Sequence, residues 1–183
     1  MEAGIWYSLM DIRTPSHQVC LLLGSNIEPE KNIPKAMSLL QKRLTILQVS
    51  SVWESASVDC CYPDFLNLAV LISTSLDAKQ LKEQVLRPLE AQMGRVRTVD
   101  KNTSRPIDFD IIIFDGELQD PSLWQHVHRA VPIAEIFPGF SSETGESLKD
   151  VAEDLAQSTS IQIRKDISFS LTESNEGTLS SPC

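Results

Sequence analysis

Two aspartates, Asp108 and Asp110, sit inside the apolar run from Ser104 to Gly116, SRPIDFDIIIFDG. The run reads as a strand. Residues two apart in a strand share a face with Cα atoms roughly 6.5 Å apart, so both carboxylates project together while Ile107, Phe109, Ile111 and Ile113 project oppositely. Like charges held that way need a partner. Either the acids lie at a strand edge, solvated or paired to a nearby arginine, or they bind a hard divalent cation such as Mg2+. The spacing alone leaves both readings open.

The residues just before the pair bear on the choice. RVRTVDKNTSR gathers Arg95, Arg97, Lys101 and Arg105 against one acid, Asp100. Magnesium sites with few carboxylates complete their shell with water and substrate phosphates, so acids beside arginines point to a polyphosphate. The formal charge of −9 argues against a nucleic-acid or anionic-membrane surface. Cations for an anionic ligand therefore have to be concentrated locally, as they are here. Neither GxxxxGK[ST] nor GxGxxG occurs in the chain, so a glycine-rich phosphate cradle is not expected.

Three further features could carry chemistry. Phe65 and Asn67 are in phase on an apolar run. A buried asparagine has to satisfy its amide, either on neighbouring backbone or on a heterocycle stacked on Phe65. His126 and His128 stand near Arg129 without the further ligands a metal would need. The cysteines, at positions 20, 60, 61 and 183, have no CxxC spacing and are expected to be free thiols.

These residues need elements to position them. QVCLLLGSN reads as a strand running into a Gly24-Ser25-Asn26 turn, and PEKNIPKAMSLLQKRL carries a helical stripe. A strand is expected from about Leu44 to Ser55, and another over DFLNLAVLISTS, with Phe65, Asn67, Ala69 and Leu71 on one face. LDAKQLKEQVLRPLEAQMG predicts a long amphipathic helix, capped near Asp77 and kinked by Pro88. After the aspartate strand, PIAEI predicts one short helical turn, and a last helix is expected from about Gly145 to Gln157. The order βαββαβ is the split βαβ arrangement: a ferredoxin-like α+β sandwich with an antiparallel sheet, two helices on one face and a C-terminal helical addition. Residues 1–17 read as an extension, 18–157 as one domain, and 158–183 as a C-terminal segment with a disordered polar tail.

Taken in order, LLLGSN, VSSVWES, PDFLNLAV, LEAQMGRVR, SRPIDFDIIIFDG and VPIAEIFP resemble 6-hydroxymethyl-7,8-dihydropterin pyrophosphokinases, in register from about Val19 to Glu153. The sharpest pieces are GRVR and the R-x-[IL]-D-x-D-I pattern that follows it. The resemblance implies a ferredoxin-like fold and transfer of pyrophosphate from ATP to the pterin's hydroxymethyl group, releasing AMP, in folate biosynthesis. It implies that Asp108 and Asp110 hold two Mg2+ ions and that Arg95, Arg97, Asp108 and Asp110 are catalytic. It places Glu90, Arg95, Arg97, Arg105 and His128 around ATP, and Ser55, Phe65 and Asn67 around the pterin. His128 matches a nucleotide-side His or, without a gap, a pterin-side Phe.

Against the family pattern, the loop before Pro132 is shortened, and Asn102 stands where an aromatic is usual. The alternative reading is a non-catalytic nucleotide- or pterin-binding module derived from this family. Without a convincing signal peptide or an apolar run of membrane-spanning length, the expectation is a cytoplasmic monomer that binds small molecules, with no nucleic-acid or membrane partner.

Overall fold

The computed structural model describes residues 16–56, 63–96 and 104–171. Strand β1 (His17–Ser25) is followed by helix α1 (Pro29–Leu40), β2 (Thr45–Val49), β3 (Trp53–Ser55) and β4 (Phe65–Thr74). Helices α2 (Ala78–Leu81) and α3 (Arg87–Gln92) flank a π-helical turn, Lys82–Leu86. Then come β5 (Asp108–Phe114), β6 (Glu117–Leu118), a 3-10 turn (Pro121–Trp124), α4 (Val127–Ile136), α5 (Leu148–Ser158) and β7 (Ile161–Ile163).

The sheet runs β6-β5-β1-β4-β3-β7, with β2 also pairing β4, and every pairing is antiparallel. With β2 and β3 counted as one interrupted strand, the four core strands take the order fourth, first, third, second. That is the expected ferredoxin-like sandwich.

Alternation splits the apolar residues between two cores. Val19, Leu21 and Leu23 of β1 and Leu66, Leu68, Val70 and Ile72 of β4 face α1 and the α2–α3 segment. Cys20, Leu22 and Ala69 face the other way, toward α4 and α5. The second face is thus covered over much of its area by the C-terminal helices, and the site opens where that cover stops. Cys20 is buried within this cover, and burial pushes its thiol up to about 12, so it behaves as a core residue rather than a nucleophile.

Several elements depart from the sequence expectation. The single strand expected over 44–55 is broken at Ser50, whose hydroxyl accepts the Ala69 N–H at 2.8 Å in place of a ladder carbonyl. The gap is filled by Glu135 of α4, which accepts from Ser51 N at 2.6 Å and from the Trp53 indole at 2.8 Å. The Pro88 kink takes the form of the π turn: Arg87 N–H reaches back to Lys82 O, widening the helix just before the proline ring. Asp77 does cap this segment, in a reciprocal capping box with Gln80.

Helix α4 begins five residues ahead of the turn expected at Pro132, because Val127, Ala130, Val131 and Ile133 form a buried stripe that outweighs the proline's missing donor. The final helix is capped by Ser147, which accepts from Asp150 N. The C-terminal segment is ordered further than its composition suggests. β7 pairs with β3, and Ile167 and Phe169 pack on the first core. Residues 1–15 and 172–183, with Cys60, Cys61 and Cys183, lie outside the described residues. No helix among the described residues is long and apolar enough to cross a membrane.

Candidate active site

The site lies where β1 ends and β5 begins. Asn26 and Arg105 exchange backbone and side-chain bonds: Asn26 N donates to Arg105 O at 3.2 Å, and Arg105 N donates to Asn26 Oδ1 at 2.7 Å. Ser25 Oγ donates to Pro106 O at 2.7 Å. The Gly24-Ser25-Asn26 turn therefore staples the approach to β5 and sets the direction in which Asp108 and Asp110 emerge.

Both aspartates project from one face of β5. Asp110 pairs with Leu22, and Asp108 with Gly24. The alternation assumed for the rest of the strand fails at one place: a bulge opposite Cys20 and Leu21 puts Ile112 and Ile113 in the same core, so Ile113 does not share a face with Phe109.

Among the described residues, three arginines meet the two acids: Arg95 and Arg105 at Asp108, and Arg129 at Asp110. Arg95 donates to Glu90 Oε1 at 2.6 Å and also to Asp108 Oδ1, while Arg105 takes Asp108 Oδ2. Glu90, only 3% exposed, also accepts the Phe109 N–H at 3.1 Å. Burial pushes the Asp108 carboxyl up, but the bond and charge of Arg95 and the charge of Arg105 outweigh it, and the net shift is downward. For Asp110, burial and the Asp108 charge raise the carboxyl against the opposing charges of Arg129 and Lys82. One acid is thus held ionised while its neighbour is under strain to ionise. Arg97 lies outside the described residues.

Asp108 belongs to a row that crosses four strands. Trp53 of β3 pairs with Asn67 of β4, Asn67 with Gly24 of β1, and Gly24 with Asp108. Asn67 is buried, and its Nδ2 donates to Ser55 Oγ at 3.2 Å, a side-chain partner rather than the backbone considered from sequence. Gly24 allows a close approach here: a Cβ would stand 3.0 Å from Asn67 Oδ1 and would press on that amide. Phe65, half-buried, lies on the same face at the next position of β4. An open cleft of about 430 Å3 adjoins Asp110, lined by Lys79, Lys82, Gln119 and Asp120 among others.

His128 and His126 stack at 5.4 Å between ring centroids. Burial, then the charges of Arg129 and His126, depress His128 to about 4. Because the folded-state value lies below the ordinary 6.5, folding excludes a proton that the unfolded chain accepts. Stability contributed by neutral His128 is complete above about pH 6.5 and is lost as pH falls toward 4. His128→Gln is expected to flatten the acid limb of a Tm-against-pH curve in that window, by on the order of 1–3 kcal/mol at its lower end.

Arg129 and Asp120 are the site residues that sequence reasoning missed. The one available signal was an arginine within the apolar segment that forms α4. Among the described residues, no three His, Cys, Asp or Glu side chains converge as a metal cage. What the arrangement offers is a pair of hard oxygen donors, guanidinium groups around them, and a polar amide across the sheet.

The family model for 7,8-dihydro-6-hydroxymethylpterin-pyrophosphokinase matches residues 20–138. The chain belongs to this family. Among its relatives, the 2-amino-4-hydroxy-6-hydroxymethyldihydropteridine pyrophosphokinase of Bacillus subtilis is 34% identical over 130 residues, covering 63% of this chain and 75% of that protein. The Campylobacter jejuni protein of the same name is 34% identical over 126 residues, covering 65% and 77%.

Solved pyrophosphokinase domains share the fold. A chain described as HPPK-DHPS in complex with substrates superposes with a TM-score of 0.61 at 13% identity, covering 79% of this chain and 44% of that one. The Plasmodium falciparum HPPK-DHPS wild type with pterin and p-hydroxybenzoate also gives 0.61, at 10% identity, covering 80% and 44%. This pyrophosphokinase-family chain thus spans less than half the length of those solved neighbours.

Proposed function

We propose that this chain transfers the terminal pyrophosphoryl group of ATP to the hydroxymethyl oxygen of 6-hydroxymethyl-7,8-dihydropterin, giving AMP and the pterin diphosphate in folate biosynthesis. The observation that carries this reading is the pairing of Asp108 and Asp110 on one face of β5, under arginines and in register with Asn67, in a chain of this family.

In the reaction the hydroxymethyl oxygen forms a bond to the β-phosphorus while the bond from that phosphorus to the α,β-bridging oxygen breaks. AMP leaves with the electron pair, and the hydroxyl proton passes to solvent. Such a displacement needs positioning and charge neutralisation rather than a covalent enzyme intermediate. Asp108 and Asp110 would hold Mg2+, two ions in our reading. The donor set fits: both ligands are hard oxygens, burial and then the Asp108 charge raise Asp110, and few protein ligands leave room for phosphate and water. The chemistry a bound Mg2+ supplies there is neutralisation of the triphosphate's oxygens.

The chain's own residues do the rest. Arg95, Arg97 and Arg105 supply guanidinium groups to the phosphates, with Glu90 orienting Arg95. We assign His128 to the nucleotide on the family resemblance; burial keeps it neutral at physiological pH. Ser55 takes one Nδ2 hydrogen of Asn67 and so orients the amide, leaving polar groups for the pterin edge over Phe65.

Incubation with ATP, Mg2+ and the reduced hydroxymethylpterin tests the reading. AMP formed only when the pterin is present supports transfer. AMP or ADP without it indicates hydrolysis, and tight binding without product indicates a binding module. Asn67→Ala is expected to weaken pterin affinity about tenfold, and Gly24→Ala, which pushes the Asn67 amide aside, roughly three- to tenfold. Nucleotide affinity, titrated separately, should change less than twofold in both.

A further inference from the structure

Helix α4 brings to Asp110 a cation that none of these roles uses. Arg129 Nη1 lies 2.7 Å from Asp120 Oδ2, and its Nη2 lies 3.3 Å from Asp110 Oδ2. The side chain is only 18% exposed, and its Nε is buried with no hydrogen-bond partner among the described residues. Asp120 is itself fixed, since its Oδ1 accepts from Ser122 N at 3.0 Å at the head of the 3-10 turn.

The two contacts of this guanidinium are unequal. The bond to Asp120 is short and anchored. The contact with Asp110 is at the long limit of a hydrogen bond, on a carboxylate that is also assigned to the metal. A guanidinium stays charged and presents five donors in a rigid fork, and here the unpaired Nε–H marks that fork as incompletely satisfied in the free protein. Once Asp110 is engaged by a dication, the acceptors brought to that place are phosphate oxygens, which suit a fork.

We propose that Arg129 is a positioning residue for the nucleotide. It holds Asp110 in the free protein, keeps its anchor on Asp120 throughout, and turns the released donors to an oxygen of the Mg2+-bound triphosphate. This rests on the reading of Asp108 and Asp110 as the Mg2+–ATP site.

The test is calorimetric titration of Mg2+ with the α,β-methylene analogue of ATP, whose bridge cannot be cleaved at the transferring bond, into wild type and the variants Arg129→Gln, Arg129→Lys and Asp120→Asn. The expected result is a 10- to 100-fold loss of analogue affinity in Arg129→Gln. Arg129→Lys should restore only part of it, and Asp120→Asn should lose roughly three- to tenfold because the fork is no longer anchored. Pterin affinity should stay within twofold in all of them.

Unchanged or tighter analogue binding in Arg129→Gln overturns the proposal, since the guanidinium would then merely compete for Asp110 in the free fold. Should Arg129→Gln fail to fold, the other two variants decide: loss in both supports the role, and wild-type affinity in either overturns it. A wild-type protein that makes no AMP with the pterin defeats the reading of the site itself. Normal turnover with unaltered analogue binding in the variants defeats only the role of Arg129.

Discussion

Asp110→Asn is expected to cut turnover by about 10²- to 10³-fold while Tm holds level or rises. The two aspartates look equivalent in sequence, but the fold treats them oppositely. Asp110 has its carboxyl raised, so above its folded-state value the ionised form weighs against folding, and a neutral amide removes that cost. Asp108 is lowered, so its contribution to stability is present above the ordinary carboxylate range and is lost as pH falls through the folded-state value.

Asp108→Asn should therefore lose turnover and stability together, by about 2 kcal/mol or roughly 4–8 °C in Tm, because Arg95 and Arg105 are left facing a neutral group. Thermal melts beside AMP-release assays check both halves. If Asp110→Asn retained most of its turnover, the metal assignment would fail.

Arg95→Met carries the larger cost to the fold. Arg95 is 15% exposed and faces Glu90, whose side chain is 4% exposed and which also receives the Phe109 N–H. Removing the cation takes from a buried carboxylate the guanidinium 2.6 Å away, a loss of about 3 kcal/mol and roughly 6–12 °C in Tm. Adding Glu90→Gln to Arg95→Met should return a good part of the stability, since the amide oxygen still accepts from Phe109 and no charge is left behind. Turnover should not return, because the guanidinium is what faces Asp108 and the phosphates. A double-mutant cycle read by denaturant melts and by AMP release separates these effects. Additive stability losses would show that the pair is not coupled.

Much of this was readable from residue order because it depends on local alternation. β1, β4 and β5 coincide with their apolar runs, and Asp108 and Asp110 share a face because nothing interrupts the pleat between them. The pattern failed where tertiary structure overrides local signals. Ile113 changes core through a bulge that only the register with β1 imposes. Ser50 breaks a strand because Glu135, distant in sequence, supplies acceptors to the gap. β7 is three residues with weak signal, and it orders by adding to the edge of β3. Arg129 stood out in sequence only as a neighbour of the two histidines, because Pro132 concealed the helix that carries it and its approach to Asp110 could not be inferred from spacing.

The row of Asp108, Gly24 and Asn67 has a further consequence for chemistry. These residues occupy neighbouring strands, so the separation between the acidic end of the site and the amide end is fixed by two interstrand steps, roughly 10 Å. The backbone ladder acts as a ruler that loop length cannot reset. A single molecule designed to engage both ends would need a linker cut to that span, and shortening the segment before Pro132 leaves the measurement unaltered.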